Sequence, residues 1–444
     1  MTGVGRQVSR RTLLRGAAGL AGAATLAGCG GGGDPTALRF WQFYSPGGGK
    51  PLQSKWFTDL VDAWNAENSP RVELEFVPNS QYVDGPKLQT SFSAGKGPDL
   101  FVVSPGDFLR YYNGGVLADL TPYLTEEARA DFYPELLESR SVDGRVHALP
   151  MGGGPLAMYY SVPAFEAAGL AEGDLPRTWD QLLDVGERLT TREGFGAVFE
   201  TAPGYFQNFT FYPYLWMAGG GLPGLVDEPG RFDSNGTVAA LQLFQDLVSR
   251  GVVPRTPGGG GASDLVGNLG SGYCAMQYAG MWGVADLRRG KPDLEYGVLP
   301  LPLPPGGSSV TATGGWAFAA NAQGRDPDAA ARFCAWALGS MDAACVERVA
   351  RWCVEAQSYL PYRRSAMRRA EELGAFEDAK LRTFRDTIFP GARGEPRLPP
   401  ELNKAVSDVL QACQLNGADP SREVERAGAI FASALEGYAG APLV

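Results

Sequence analysis

Residues 273–321 organise the rest of the chain and read YCAMQYAGMWGVADLRRGKPDLEYGVLPLPLPPGGSSVTATGGWAFAAN. Tyr273–Ala279 is predicted to be a strand whose exit is marked by Trp282, and Gly315–Ala320 a second strand that contains Trp316. The proline-rich run Leu299–Pro305 between them is typical of a segment that carries a chain from one lobe to another. We therefore interpret this stretch as half of a cleft and one of its crossovers. The rest of the chain must supply the other half.

Alternating strands and helices open the chain that precedes this stretch. The predicted elements are, in order, the strand Ala37–Phe43, the amphipathic helix Lys55–Asn65, the strand Arg71–Val77, the short helix Gln89–Ala94 and the strand Pro98–Val103. This order indicates an α/β lobe with a largely parallel sheet. Ligands of such sheets lie beyond the carboxyl ends of the strands. That rule makes Gln42, Tyr44, Ser104 and Asp107 candidate binding residues.

A second lobe is predicted to begin after Pro150. It starts with the apolar strand Leu156–Tyr160, and Thr178 and Gln181 then have the spacing of a capping box at the start of a helix. The segment Phe206–Trp216, FQNFTFYPYLW, is unusually aromatic. Further along, Asp326-Pro327 predicts the start of another helix. Beyond it, the C-terminal part carries two apolar stripes typical of core-facing helices.

Length and charge limit the class of protein. A chain of 444 residues allows two or three domains with a sizeable core. The formal net charge is −10, and residues 1–28 carry four arginines and no acid, so residues 29–444 carry −14. A nucleic-acid-binding protein needs a basic face. The acidic body of this chain therefore argues against nucleic acid as a partner.

The N-terminus carries the most specific local signal. Ser9–Arg15, SRRTLLR, resembles a twin-arginine export motif, and Leu26–Cys29, LAGC, resembles a bacterial lipobox. The apolar run Gly16–Gly28 between them is shorter than the roughly 20 residues of a membrane-spanning helix, but it suits a signal segment. The alternative is a chance arginine pair before a core helix.

The signal interpretation predicts cleavage before Cys29 and a diacylglycerol thioether on that residue. The protein would then be extracytoplasmic and lipid-anchored to the cell membrane, on the periplasmic side or the outer face. Twin-arginine export would allow the chain to fold before it crosses. The glycine run 30–33 would act as a short flexible tether.

The remaining cysteines and the single histidine point to packing instead of chemistry. The five cysteines after Cys29 are Cys274, Cys334, Cys345, Cys353 and Cys413. An odd number leaves at least one unpaired, and we favour buried thiols over bridges. No spacing is typical of zinc, so no metal and no cofactor is predicted. His147 is the only histidine, so no Ser-His-Asp triad can form around another one. We predict that it is packed and not catalytic.

Several segments, in this order, resemble the family 1 extracellular solute-binding proteins of ABC importers, the maltose-binding-protein-like group. The segments are Ala94–Leu100 (AGKGPDL), Gly115–Thr121 (GVLADLT), Gly144–Pro150 (GRVHALP), Tyr159–Ser161 (YYS), Ala168–Leu182 (AGLAEGDLPRTWDQL), Cys274–Trp282 (CAMQYAGMW) and Gly314–Trp316 (GGW). Ser161 departs from the asparagine that is common in the family. Gly152–Gly154 departs from a carboxylate of maltose-binding protein, which argues against maltose and predicts room for a bulkier ligand.

The resemblance implies an α/β fold of the two-lobed periplasmic-binding-protein type II, with hinge crossovers near 150–155, 299–305 and 358–361. The implied division is a signal peptide at 1–28, a lipidated tether at 29–37, a first lobe of 38–150 plus 305–357 and a second lobe of 151–304 plus 358–444. It also implies that the C-terminal helices pack on the second lobe.

The resemblance also points to residues that face a ligand. By their place in the family pattern, Trp282 and Trp316 are the leading candidates for stacking on a sugar. Gly315, which precedes Trp316, is a further candidate ligand-binding residue. Phe209 and Tyr212 match ligand-facing positions in the aromatic segment, and Trp216 is either a binding or a core residue. Sugars present flat C–H faces ringed by hydroxyls, which suit aromatic rings and polar side chains respectively.

The function that follows is that of a non-enzymatic, monomeric binding lipoprotein. It would capture a sugar or oligosaccharide and hand it to the permease subunits of an ABC transporter. One alternative is a binding protein for another solute, and another is one that feeds a membrane sensor. A carbohydrate-active enzyme would need two carboxylates roughly 5–9 Å apart across the cleft.

Overall fold

The computed structural model describes Asp34 and residues 36–46, 51–83, 85–222 and 231–443. The predicted signal segment 1–28, the lipidation site Cys29 and most of the predicted tether lie outside these ranges. From Thr36 onward the chain forms one compact unit. None of the helices in these ranges has the length and apolar character needed to cross a membrane.

The strands of the described ranges run as follows: β1 (Leu38–Gln42), β2 (Val72–Phe76), β3 (Leu100–Val103), β4 (Ser141–Val142), β5 (Arg145–Val146), β6 (Leu149–Pro150), β7 (Leu156–Ser161), β8 (Phe195–Val198), β9 (Cys274–Gly280), β10 (Tyr296–Leu299), β11 (Thr311–Thr313), β12 (Ala317–Ala320) and β13 (Ala392–Gly394).

The α-helices of the same ranges are α1 (Pro51–Glu67), α2 (Asn79–Tyr82), α3 (Lys87–Ser93), α4 (Pro105–Asn113), α5 (Glu126–Asp131), α6 (Pro134–Glu138), α7 (Val162–Ala167), α8 (Trp179–Leu189), α9 (Tyr205–Met217), α10 (Asn235–Ser249), α11 (Trp282–Gly290), α12 (Pro327–Cys334), α13 (Ala343–Arg351), α14 (Arg364–Glu372), α15 (Ala379–Thr383), α16 (Pro400–Gln414) and α17 (Pro420–Glu436).

The first sheet has the strand order β2-β1-β3-β12-β6. The strands β1, β2 and β3 are parallel, as predicted, and β12 runs antiparallel between β3 and β6. All four residues of β3 and of β12 are buried, because helices cover both faces of the sheet. An aromatic cluster packs beneath it, in which Phe40 contacts Phe57, Phe318 and Phe333 edge-on. We call this sheet and the helices on it the first lobe.

The second sheet has the order β10-β7-β9-β8. All seven residues of its central strand β9 are buried. The short pair β11 and β13 lies beside it, and α16 packs against α9, α10 and α17. We call these elements the second lobe. The predicted α/β fold with two lobes is confirmed, and the C-terminal helices pack on the second lobe as the resemblance implied.

Local signals predicted several boundaries correctly. Thr178 caps α8 and forms the expected capping box with Gln181. Asp326 caps α12, and Pro327 is its first residue. The five cysteines after Cys29 are all free and buried, as we favoured.

Three segments join the lobes, and they are hydrogen-bonded to one another. Gly153 bridges Leu360, Pro155 bridges Thr313, and the amide of Met151 donates to the carbonyl oxygen of Trp316 at 2.9 Å. The predicted crossovers near 150–155 and 358–361 agree with this arrangement.

The predicted crossover at the proline run 299–305 is wrong. The amide of Leu303 donates to the carbonyl of Arg177, and the carbonyl of Leu303 accepts from the amide of Trp179, so this run stays with the second lobe. The chain passes to the first lobe only after Thr313. Proline favours extended chain, but it does not decide which sheet that chain lies against. The other lobe boundaries stay predictions.

Candidate functional site

Strand β3 leads directly into α4, and the turn between them places two predicted polar residues together. Ser104 is the N-cap, and its hydroxyl accepts from the amide of Asp107 at 3.2 Å. Burial raises the pKa of the Asp107 carboxyl, and Arg110, 3.5 Å away, partly offsets that shift. The two side chains therefore lie in the first turn of α4.

The residues that follow β1 are buried in the first lobe. The amide of Tyr44 donates to the side-chain oxygen of Gln42, whereas Nε2 of Gln42 has no hydrogen-bond partner in the described ranges. The ring of Tyr44 stacks on Phe57 with ring centroids 5.5 Å apart, and its hydroxyl accepts from Gln357 at 2.9 Å. Tyr44 is therefore held within the first-lobe core, and Gln42 keeps an unsatisfied amide donor.

Trp316 is partly exposed and lies immediately before β12. Its ring contacts Phe43 edge-on, with centroids 4.7 Å apart. Gly315, which precedes it, has a φ of 143° that side-chain-bearing residues rarely adopt. The carbonyl of Gly315 accepts from Arg140 at 2.6 Å. Gly315 thus holds the backbone in place at the hinge, and Trp316, the next residue, keeps part of its ring exposed to solvent.

Trp282 is the corresponding partly exposed tryptophan of the second lobe. It is the first residue of α11 and lies 6.1 Å from Phe206, centroid to centroid. Its ring folds back over Gly280, where a Cβ atom would overlap the ring. The glycine two residues before Trp282 is therefore required for this ring position.

The aromatic segment predicted at 206–216 forms α9. Tyr205 stacks with Phe209, and Tyr212 stacks with Trp216, as residues four apart on one helix face do. Phe209, Tyr212 and Trp216 are all buried, and the guanidinium of Arg393 lies 4.4 Å from the Trp216 ring. The structure therefore encloses these three predicted residues more fully than the two tryptophans at 282 and 316.

A carboxyl that the sequence did not suggest lies where α9 meets α4. Glu395 is 3% exposed, and its Oε2 accepts from the hydroxyl of Tyr205 at 2.8 Å. Burial raises the pKa of Glu395 to about 8, and the nearby charge of Asp107 raises it further, while Tyr205 and Arg140 act in the opposite direction.

The glycines at 152–154 do not enlarge the cleft, so the prediction of room for a bulkier ligand is wrong. A Cβ on Gly153 would overlap the carbonyl oxygen of Gly314, and one on Gly154 would overlap Cβ of Met281. A Cβ on Gly152 would lie 2.6 Å from Sγ of Cys353. These glycines let the crossing segments approach one another, and the space that a side chain would fill is already occupied.

Sequence reasoning missed four residues of this region. Phe43 and Phe206 lie beside predicted residues, so pairing each tryptophan with a nearby ring could have found them. Tyr205 directly precedes the aromatic segment. No sequence signal marks Glu395, because its partner Tyr205 is 190 residues away and the contact is purely tertiary.

The only histidine is packed, as predicted. His147 is buried, its Nδ1 lies 3.1 Å from the carbonyl of Ala118, and its ring contacts Tyr112 edge-on. Within the described residues no group of three His, Cys, Asp or Glu side chains could hold a metal ion. Two surface cavities, of about 870 Å³ and 960 Å³, lie elsewhere, and none of the predicted ligand-binding residues lines them.

Comparison with known proteins gives a consistent family. Residues 48–344 match the model of a family described as bacterial extracellular solute-binding protein. A binding protein from Brucella abortus (strain 2308) is 24% identical over 257 residues, which cover 58% of this chain and 62% of the relative. A maltotriose-binding protein from Pyrococcus abyssi (strain GE5 / Orsay) is 23% identical over 257 residues, which cover 57% of this chain and 52% of the relative.

Solved structures share the fold. A cyclic alpha-maltosyl-1,6-maltose binding protein from Arthrobacter globiformis superimposes with a TM-score of 0.71 at 23% identity, covering 91% of this chain and 100% of that one. The match to the Brucella relative extends over 62% of its length, so it concerns part of that protein.

Proposed function

The chain belongs to the bacterial extracellular solute-binding proteins, and from that premise we propose that it captures a sugar or oligosaccharide between its lobes and delivers it to the permease of an ABC transporter. The family membership carries the general role. The sugar class and the delivery step are our proposal for this chain.

The observation that supports a sugar is the pair of partly exposed tryptophans, one on each lobe. Trp316 is backed by Phe43, and Trp282 is backed by Phe206. A tryptophan with a second ring behind it is held in a fixed orientation, and a fixed flat ring suits the C–H face of a sugar. Closure of the lobes on such a ligand would desolvate both of its faces.

Polar groups of the first lobe support the same ligand class. The carboxyl of Asp107, whose side chain is 32% exposed, offers an acceptor. The unsatisfied Nε2 of Gln42 and the hydroxyl of Ser104 offer a donor and a donor-acceptor, although both side chains are buried in this structure. These are the groups that sugar hydroxyls need. Two similar proteins, from Pyrococcus abyssi and Arthrobacter globiformis, are a maltotriose-binding protein and a cyclic alpha-maltosyl-1,6-maltose binding protein.

A carbohydrate-active enzyme is the second candidate because two carboxyls lie in this region, and the charge of Asp107 raises the pKa of Glu395. Glu395 is nearly inaccessible, and its Oε2 is occupied by Tyr205. A general acid must reach its substrate within hydrogen-bond distance. We therefore propose no catalytic role for this pair.

The test is a thermal-shift and calorimetric panel on the purified protein. The panel would contain neutral mono- and oligosaccharides, polyols, glycerophosphodiesters, amino acids and polyamines. A ligand at 100 times its Kd stabilises the native state by about 2.7 kcal/mol, so a raised Tm with saccharides alone is expected. A shift with polyamines or another class and none with saccharides would overturn the sugar proposal. Incubation with the bound saccharide should release no new reducing ends.

We also propose that the protein is an extracytoplasmic monomer anchored through a lipid on Cys29. The motifs at 9–15 and 26–29 motivate this proposal. Metabolic labelling with an alkyne fatty acid should mark the native chain and not the Cys29→Ser variant. Replacing Arg10 and Arg11 by lysine should stop export if the twin-arginine route is used. Labelling of the serine variant would contradict the assigned site. Deletion of this protein's gene should abolish uptake of the ligand into the cell; unchanged uptake with loss of a transcriptional response would favour a sensor.

A further inference from the structure

Helix α4 of the first lobe is held by the second lobe at both of its ends. At its N-terminus, Nδ2 of Asn403 donates to the carbonyl of Gly106 at 3.2 Å. At its C-terminus, Nδ2 of Asn113 donates to the hydroxyl of Tyr438 at 3.1 Å, and Oδ1 of Asn113 accepts from the amide of Ala441 at 3.1 Å. The two lobes therefore meet along this helix, apart from the hinge.

The two lobes approach each other closely at Gly106. A Cβ there would be 2.7 Å from the ring of Tyr205 and 2.8 Å from Oε1 of Glu395. That carboxyl reaches the hinge as well, since a Cβ on Gly314 would lie 2.8 Å from Oε2. One buried carboxyl thus contacts α4, α9 and the hinge.

Most of the titratable groups around the Glu395 carboxyl are acidic or neutral, and only one is a cation. Tyr205 and Tyr212 face it from α9, Asp107 from α4, and Tyr362 and Arg140 from the segments beside the hinge. The guanidinium of Arg140 is the only cation among them. Its Nη1 donates to Leu136 and Ser139, and its Nη2 donates to the Gly315 carbonyl. No ion pair forms between Arg140 and Glu395 in the described residues.

We propose that Glu395 is a proton-controlled latch that holds α4 of the first lobe against the second lobe. When its carboxyl is neutral, it remains in the seam between α4 and α9. When the carboxyl is ionised, it needs water, and the lobes separate to supply it. This inference concerns regulation of the site described above and rests on the proposed function for its consequence, which is ligand release.

The direction of the pH effect follows from linkage. In the closed form the pKa of Glu395 is about 8, whereas a hydrated glutamate has a pKa near 4.5. Closure therefore takes up a proton. The stabilisation is complete below pH 4.5 and is lost as the pH rises towards 8. Within that window the closure equilibrium should fall by up to about tenfold for each pH unit.

Small-angle X-ray scattering of the ligand-free protein between pH 5 and 9 tests the latch. For the native chain we expect the radius of gyration to increase with pH. Glu395→Gln keeps the shape and cannot ionise, so its radius should be constant and close to the low-pH value of the native chain. A constant radius in the native chain, or an unchanged pH response in the variant, would overturn the proposal.

A second variant keeps the test decisive if Glu395→Gln does not fold. Tyr205→Phe retains the ring but removes the donor that stabilises the ionised carboxyl. Loss of that donor destabilises the closed form with an ionised carboxyl, so at pH 8–9 the variant should have a radius of gyration at least as large as that of the native chain. A smaller radius than that of the native chain in this range would contradict the latch. Because no ligand is used, failure of the sugar proposal would leave this result unchanged.

Discussion

Gly153 approaches Gly314 so closely that no side chain fits between them. A Cβ on Gly153 would overlap the carbonyl oxygen of Gly314, which also accepts from the hydroxyl of Tyr362. The amide and carbonyl of Gly153 exchange hydrogen bonds with Leu360 at 3.1 and 2.8 Å. One residue thus touches both of the other connecting segments of the hinge.

Gly153→Ala should therefore destabilise the protein through the hinge. The added methyl must displace backbone and not a flexible side chain, and overpacking of this kind costs about 1–3 kcal/mol. Urea unfolding of the native and variant chains measures the difference. Gly173→Ala is a matched control, because a Cβ at Gly173 has no neighbour within 4 Å. Equal stability of the two variants would contradict the packing described.

Trp282→Ala and Trp316→Ala should each weaken binding of the saccharide that the panel identifies. Loss of one stacking face should cost about 1.4 kcal/mol or more, which is tenfold in Kd. Isothermal titration calorimetry measures the change. Trp336→Ala provides the control, since Trp336 is also partly buried but packs against Trp64 and Arg348. A Kd that rises equally in the control would show a general loss of stability and not a binding role.

Gly106→Ala should push the two lobes apart where α4 meets α9. Gly106 has an ordinary helical φ, so alanine introduces no backbone strain, but its methyl meets Tyr205 and Glu395. We expect a larger radius of gyration at pH 6 in scattering measurements, with the folded state retained by circular dichroism. Gly428→Ala adds the same methyl to α17, where a Cβ has no neighbour within 4 Å, and should leave the radius unchanged. An unchanged radius for Gly106→Ala would argue against contact between the lobes there.

Asp131→Asn should destabilise the fold strongly. Nε of Arg363 donates to Asp131 at 2.8 Å, and Arg363 is 1% exposed, so the substitution leaves a buried charge without its partner. Breaking such a pair costs about 3–5 kcal/mol. The exposed pair of Lys404 and Asp408 supplies the contrast, because Lys404→Ala should cost at most about 1 kcal/mol. Chemical denaturation measures both, and similar costs would contradict the difference in burial.

The thiols of Cys274, Cys334, Cys345, Cys353 and Cys413 should not react with iodoacetamide in the native protein. Burial raises the pKa of each, and the thiolate is the reactive form. Peptide mapping after a labelling pulse should find these five thiols modified only in denaturant. Rapid native labelling of any of them would show that its burial is incomplete.

Much of the framework could be predicted because it depends on local patterns. The alternation of apolar residues in β1 to β3, the capping box at Thr178 and the pair Asp326-Pro327 are each encoded within a few residues. The order of the family segments then predicted two lobes. The extended form of the proline run at 299–305 was predicted correctly. Its place in the second lobe was not, because its hydrogen bonds are to Arg177 and Trp179, which are far away in the sequence.

Candidate binding residues could be named from the sequence only where a residue follows a strand or belongs to a family segment. Ser104, Trp282 and Trp316 fit this description, and their binding role stays a prediction. The role of Gly152–Gly154 was misjudged because an absent side chain can mean either open space or a close backbone approach. Glu395 could not be found at all, since its surroundings come from α4, α9 and the hinge.

Strand β12 has a consequence for how the molecule is made. It lies between β3 and β6, although residues 151–316 separate it from β6 in the chain. Until residue 320 has left the ribosome, β3 and β6 present unpaired edges to any strand nearby, and such edges invite aggregation. Pairing across so long a separation also slows folding. The first lobe is therefore the first part of the chain to be synthesised, but its sheet cannot be completed until β12 is available. A chaperone acting during synthesis would bind the unpaired edges of β3 and β6.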